Sequence, residues 1–136
     1  MSKHAAVSDG LYLFGHSPDH RIYTVAEFTD ALVIPTIYDK ARFFNEGGRP
    51  IAVVTWCWLT EEEAQNFLDE RFTPSEEQYA REAGEQLWGI EFIAPFGHAR
   101  PVMREMREHS KRLYGSGVKV HWRRLHTPNK IHARRF

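Results

Sequence analysis

The stretch KARFFNEGGRPIAVVTWCWL, residues 40 to 59, decides the fold. It reads as two strands around a turn at Glu46-Gly47-Gly48-Arg49: the flanks are rich in β-branched and aromatic residues, and the paired glycines permit the positive φ that a tight hairpin needs. Immediately upstream, Thr24-Val25-Ala26-Glu27 fits a capping box, in which Thr24 accepts from the amide three residues on and Glu27 reaches back. A helix from Val25 follows, with Phe28, Ala31, Leu32 and Ile34 on one face. Pro35 is expected to end or kink it, since proline lacks a donor and disfavours helix at Ile34. Further back, residues 5 to 15 are apolar enough for a short helix or a strand, and Ser17-Pro18-Asp19 has turn chemistry.

Downstream of the hairpin, Thr60 followed by Glu61, Glu62 and Glu63 is an N-cap with acids in the first turn, where they complement the helix dipole. That helix is predicted to run to Glu70, and residues 71 to 86, with Pro74 and Gly84, suggest a loop and one short helix. LWGIEFIAPFG, residues 87 to 97, is another strand, apolar except for Glu91 and stopped by Pro95 and Gly97. Strict alternation puts Glu91 on the face of Gly89 and Ile93, with Ile90 and Phe92 pointing the other way. A second long helix is predicted from near Pro101 to Gly115, its C-terminal end loaded with Arg107, Lys111 and Arg112. GVKVHWRRLH is a final clear strand, and NKIHARRF is its candidate partner. The pattern gives one domain over residues 1 to 136, α+β or a mixed three-layer α/β arrangement, with a mostly antiparallel central sheet flanked by helices.

Composition places the chain among folded globular proteins, with 42% hydrophobic and 26% charged residues. No apolar run approaches the ~20 residues of a membrane span. MSKHAAVSDG lacks the apolar core of a secretory signal, so the cytoplasm is the expected compartment. The single cysteine, Cys57, lies within an apolar strand and reads as a buried, inert thiol. The zero net charge hides an asymmetry. Residues 1 to 99 carry 7 Lys/Arg against 16 Asp/Glu, while residues 100 to 136 carry 11 against 2. The C-terminal quarter therefore attracts polyanions, whether nucleic acid, an anionic membrane or an acidic protein.

There is no H-E-x-x-H, no Cys/His cluster, no Walker A loop, no G-x-G-x-x-G and no G-x-S-x-G, so neither a metal nor a bound cofactor is expected. What remains is the turn Ser17-Pro18-Asp19-His20 and the lone Glu91. A carboxylate in an apolar strand wants a cation or a donor, because burying it unpaired is costly. Taken singly, His20 reads as a capping or surface residue, and Glu91 as solvent-facing or paired with an arginine.

Three blocks in order, Ser17-Pro18-x-His20-Arg21, PIAVVTWCWLTEEE from Pro50 and WGIEFIAPFG from Trp88, resemble the RTX toxin-activating lysine acyltransferases, the haemolysin-activator family. The resemblance covers residues 10 to 125. It implies a cytoplasmic enzyme with a fold similar to the GNAT acyltransferases, moving a fatty acyl group from acyl carrier protein to a lysine of a protein such as an RTX protoxin, and it leaves a homodimer open. It also implies an essential His20, a supporting Ser17, and Glu91 in the place of the family's aspartate. Chemically, a lysine of pKa near 10.4 costs about 4.6 kcal/mol to deprotonate at pH 7, and a histidine is suited to help. His20 either removes the amine proton, with Glu91 orienting the ring or holding the ammonium, or takes the acyl group itself.

Backbone amides at Phe96 and Gly97 are candidates for an oxyanion or acyl site. Arg104, Arg107, Lys111, Arg112, Arg123 and Arg124 are candidates for docking an acidic carrier. Two other readings stand beside this one: a noncatalytic module that binds the carrier or anionic lipid, and a nucleic-acid-binding protein that uses Trp122 and Phe136. The sequence departs from the family at Glu91, at His98 after P-F-G, at Tyr23 where tryptophan is common, and in ending short of typical members, so that part of a sheet, a dimer contact or the substrate surface is expected to be missing.

Overall fold

The computed structural model describes residues 2–124 and 127–135, with Arg124 and the last stretch described by their backbone path alone. The hairpin forms as expected: β1 (Ala41–Glu46) and β2 (Arg49–Leu59) pair antiparallel across Glu46 and Arg49, with Gly47 and Gly48 at φ +57° and +79°. Residues that alternation left undecided form helix α1 (Lys3–Gly15), capped by the Ser2 hydroxyl, which accepts from the Ala5 amide at 3.1 Å. The capping box at Thr24 is present and opens α2 (Val25–Phe28).

Pro35 does not end that helix. A π turn over Thr29–Val33 leads directly into α3 (Ile34–Ile37), with the Ile34 amide donating to the Thr29 carbonyl. The wider turn absorbs both the missing proline donor and the ring's clash with the preceding turn, so the chain stays helical through Pro35. As a result Ala31 and Leu32 are both buried.

Thr60 caps α4 (Glu61–Leu68), which stops two residues earlier than expected at Asp69, and α5 (Glu76–Tyr79) is the short helix of the following loop. Then come β3 (Gln86–Ile93), α6 (Ala99–Tyr114), β4 (Lys119–Arg124) and β5 (Thr127–Arg135). The five strands lie in sequence order in one sheet. It is mixed, which corrects the mostly antiparallel expectation: α6 carries the chain back across the sheet, so β4 enters parallel to β3. The described parallel ladder covers only Leu87–Val120 and Trp88–His121.

Helices cover both faces. On one, Ala52, Val54, Trp56 and Leu87 pack against Val102 and Met106 of α6. On the other, Leu13 and Phe14 of α1 meet Leu32, Val53 and Ile93, while Phe67, Leu68 and Tyr79 meet Cys57, Leu59 and Trp88. Cys57 is fully buried there, and burial raises its thiol pKa, as the inert reading expects. No described helix is long and apolar enough to cross a membrane.

The sequence also breaks alternation inside β3. Val54 faces Phe92 and Trp56 faces Gly89, so between them the single residue Thr55 stands opposite both Ile90 and Glu91. This bulge corrects the facial assignment. Gly89 belongs to the α6 side with Trp56, whereas Ile90 packs with Trp88 on the other side and Glu91 follows Ile93 there.

Two outcomes test this packing. A Cβ on Gly10 would lie 1.7 Å from Cδ2 of the fully buried Leu32. Gly10→Ala should therefore lose about 1–3 kcal/mol of stability to overpacking, although alanine is the better helix former; equal or higher stability in urea unfolding contradicts the packing described. Arg81 donates to Glu63 at 2.9 Å, joined by Gln78 at 2.9 Å, and this holds the Glu63 carboxyl at about 2 against an ordinary 4.5. The folded-state pKa is depressed, so the contribution to stability is present at neutral pH and is lost as pH falls from about 4.5 toward about 2. Glu63→Gln should flatten that acid limb relative to wild type.

Candidate active site

His20 is delivered by the turn that follows α1. The His20 amide donates to the Ser17 carbonyl at 3.0 Å, and the Arg21 amide to the same oxygen at 2.9 Å. The Ser17 hydroxyl meets His20 Nδ1 at 2.6 Å, so one residue closes the turn with its backbone and fixes the ring with its side chain. Phe14 and Tyr23 hold the imidazole from two sides, with ring centroids 5.2 and 5.3 Å away. The result is a buried histidine, 5% exposed.

The other ring nitrogen, Nε2, lies 2.8 Å from Glu91 Oε2. The bulge makes this contact, because it turns Glu91 out of the α6 side toward α1. Thr55 Oγ1 accepts the Glu91 amide at 3.0 Å, giving that amide a partner at the irregular step of the ladder. The Tyr23 hydroxyl donates to Glu91 Oε1 at 3.3 Å, so both carboxylate oxygens have donors. Burial, then the charge of Glu91, raises the Tyr23 pKa well above its ordinary value, and the phenol keeps its proton as donor.

His20, Tyr23 and Glu91 line a cavity of about 690 Å³, within the ~300–1,000 Å³ that small-molecule sites span. Its walls come from both faces of the sheet: Ala31, Phe67, Tyr79 and Ile90 on the His20 side, and Val54, Met103 and Met106 on the α6 side. The described β3–β4 ladder ends at Trp88 and His121, and the next residues, Gly89 of β3 and Trp122 of β4, line the cavity. Glu27, Asp30 and Arg123 add charge to the same cavity.

The remaining sequence candidates are placed as follows. Phe96 and Gly97 do not line this cavity: Phe96 stacks under Arg49, 3.9 Å from the ring centroid, and beside His16, while the Gly97 amide points at the Ala94 carbonyl. Arg104 and Arg112 are exposed on α6, Arg107 is half-buried, and Lys111 pairs with Glu108 at 3.3 Å. Arg123 is folded onto Phe67, 4.1 Å from its ring centroid, and donates to the Phe67 carbonyl. The side chain of Arg124 and the whole of Phe136 lie outside the described residues. Trp122 is half-buried and lines the cavity. Among the described residues no three His, Cys, Asp or Glu side chains group as metal ligands. Tyr23 and Thr55 were missed as site residues; a buried carboxylate's need for donors was the signal that pointed to partners of this kind.

A buried histidine paired with a carboxylate at the wall of a cavity, on a mixed α+β sheet, defines a class of site suited to proton transfer. The chain belongs to the RTX toxin acyltransferase family, which it matches over residues 2–133. It is 33% identical over 100 residues to the lysine-acyltransferase RtxC of Vibrio cholerae, an alignment covering 71% of this chain and 63% of that protein. It is 24% identical over 110 residues to the RTX-II toxin-activating lysine-acyltransferase ApxIIC of Actinobacillus pleuropneumoniae, covering 81% and 68%. Similarity extends to an uncharacterized Synechocystis protein, sll0720, at 26% identity over 100 residues, covering 71% and 66%. The chain thus spans roughly two thirds of the length of these relatives.

The His20–Glu91 contact should register in stability alone. In a double-mutant cycle of His20→Ala and Glu91→Ala, followed by urea unfolding at neutral pH, a coupling of about 0.5–3 kcal/mol is expected. Strict additivity would place the two side chains apart.

Proposed function

We propose that the protein is an acyl-carrier-protein-dependent lysine N-acyltransferase, moving a fatty acyl group from a thioester to a lysine ε-amine of a protein substrate of the RTX protoxin kind. The observation that carries this reading is the 2.8 Å contact of His20 Nε2 with Glu91 Oε2 at the wall of a cavity large and apolar enough for an acyl group. The relatives named as lysine-acyltransferases support it.

In this reading the acceptor lysine arrives as an ammonium, drawn by Glu27, Asp30 and Glu91, which share the cavity. The Ser17 hydroxyl can donate or accept, so it holds either neutral tautomer of His20. When the arriving ammonium takes the place of Nε2 on Glu91 and the Ser17 oxygen accepts from Nδ1–H, the Nε2 lone pair takes one ammonium proton, and Glu91 stabilises the imidazolium that forms. The amine nitrogen then attacks the thioester carbonyl carbon, and the C–N bond forms as the carbonyl electrons move to oxygen. Collapse breaks the C–S bond, and the departing sulfur takes the second amine proton and leaves as a thiol. His20 returns its proton to solvent, so each turnover yields an amide, a thiol and one proton. Ser17 and Tyr23 act as positioning residues, one on each partner of the pair.

The acidic carrier would meet the cationic side of the protein, where Arg104 and Arg112 stand exposed on α6 and Arg123 reaches the cavity. A GNAT-like fold, a cytoplasmic location and a homodimer accompany this reading as further parts of the proposal.

Purified protein mixed with acyl-loaded carrier and a lysine-bearing protein or peptide should add one acyl mass to the acceptor. His20→Ala should cut kcat by about 10²–10⁴, and undiminished transfer by that variant removes His20 from the chemistry. Carrier binding without turnover by the wild type would instead favour the noncatalytic module.

A further inference from the structure

When an amine attacks a thioester, the carbonyl oxygen becomes an anion, and a donor must meet it in a site shielded from water. The sequence candidates for that donor, the Phe96 and Gly97 amides, lie away from the cavity, and the Tyr23 hydroxyl is committed to Glu91. Of the other hydroxyls in the cavity wall, Thr73 is exposed and Ser110 belongs to α6 on the far face of the sheet, whereas Tyr79 is fully buried on the His20 side. The segment SEEQY, residues 75 to 79, holds that tyrosine in place. The Ser75 amide donates to the Gln78 side chain at 2.9 Å, the same side chain donates to Glu63 at 2.9 Å, and the Tyr79 amide donates to the Ser75 carbonyl at 3.1 Å. The ring is then fixed in the core cluster of Cys57, Leu59, Phe67 and Trp88.

The polarity of the phenol follows from its neighbour. Thr55 Oγ1 accepts the Glu91 amide at 3.0 Å, and the Thr55 hydroxyl donates to the Tyr79 oxygen. Tyr79 is the acceptor in that pair, which leaves its own proton for an acceptor in the cavity. Burial first, then neighbouring charge that includes Glu91, raises the phenol pKa well above its ordinary value, so the proton stays on the oxygen. We propose that Tyr79 is a catalytic residue, whose phenol O–H donates to the carbonyl oxygen of the acyl donor and stabilises the oxyanion formed when the lysine attacks. This rests on the acyl-transfer reading and deepens it by naming the group that receives the developing charge. As the C–N bond forms, the carbonyl π electrons move to oxygen and Tyr79 strengthens its hydrogen bond without giving up the proton. When the carbonyl re-forms, the C–S bond breaks and the phenol is unchanged. A buried donor on a fixed ring acts at low dielectric and needs no reorganisation at the moment of reaction. Thr55, the residue opposite the bulge, thus holds both partners of the reaction: its oxygen takes the Glu91 amide and its proton takes the phenol.

Tyr79→Phe keeps the ring that fills the core and removes only the hydroxyl. In transfer assays with the full chain and an acyl-loaded carrier, it should lower kcat by about 10²–10³ while KM for the donor stays nearly unchanged. A second measurement is independent of turnover. Wild type and variant are saturated with an acyl-pantetheine amide bearing an isotope-labelled carbonyl, whose oxygen stands for that of the thioester, and the carbonyl stretch is read by difference infrared spectroscopy. The stretch should lie at lower frequency in wild type than in Tyr79→Phe. A variant with wild-type kcat, or a stretch identical in the two proteins, overturns the proposal, and so does a wild type that does not bind the probe. A merely structural tyrosine would lower the unfolding midpoint of Tyr79→Phe and leave the carbonyl unmoved. The two readings also separate: a wild type that shows the shift but transfers no acyl keeps Tyr79 on the carbonyl and sinks the transferase, whereas transfer with an unshifted carbonyl does the reverse.

Discussion

The site depends on one irregularity of the sheet, the step at which β3 places Ile90 and Glu91 opposite the single Thr55 of β2. Without it, alternation from Trp88 would point Ile90 toward α1 and send Glu91 toward α6, into a layer built from Val54, Trp56, Val102 and Met106. An ionised carboxylate has no partner there among the core side chains of that layer, and its burial would be opposed by several kcal/mol. The bulge instead sends both residues to the same side, so Ile90 stays in the core beside Trp88 while Glu91 reaches His20. A ladder step is disrupted in exchange, and Thr55 Oγ1 satisfies the Glu91 amide at that point. Local disorder in the ladder thus places the one charged side chain of the strand where it has donors.

A second constraint follows from connectivity. Because α6 returns the chain across the sheet, β4 joins β3 in parallel, with slanted bonds and a short described ladder. The described parallel ladder therefore ends beside the bulge, so irregular pairing on one edge of β3 adjoins a short ladder on the other. Helices on both faces enclose the cavity there: α6 covers one side, and the π turn with α4 and α5 lines the other. The cavity lies beside this short ladder and is enclosed by helices that the hydrophobic pattern already implied.

Much of this was legible in the residues. The glycine pair fixed the hairpin, Thr24 and Thr60 with a glutamate three positions on fixed two helix starts, and Gly115, at φ 93°, ended α6 where the last cations stop. The carboxylate in an apolar strand called for a donor, but the residues alone did not name His20 as its partner; the family resemblance did. What stayed hidden has a common cause, namely that alternation and propensity assume regular geometry. A bulge shifts faces without any change in composition, and a π turn lets a proline pass that would break a regular helix. Phe96 and Gly97 illustrate a different limit. They follow closely after Glu91 in sequence, yet β3 ends at Ile93 and the following turn carries them away, toward Arg49 and His16.

Tyr23 and Glu91 are best understood together. Each departs from the pattern that the family resemblance implies, and each alone looks like a loss: a longer, more flexible carboxylate, and a smaller ring in place of a large one. In the structure they compensate. Glutamate's extra methylene adds a rotatable bond whose freedom must be removed for the carboxylate to present one oxygen to His20. The Tyr23 hydroxyl removes it by holding the other oxygen, at 3.3 Å, while its ring packs against the imidazole. Because burial and the neighbouring charge both keep the phenol protonated, this donor does not fail at any ordinary pH. The carboxylate is therefore fixed from both ends, through Tyr23 and His20, and the His20 ring is fixed in turn by Ser17. Precision at the pair comes from Ser17, Tyr23 and Phe14 rather than from further charge, and the negative charge of Glu27 and Asp30 remains in the cavity to attract a cation.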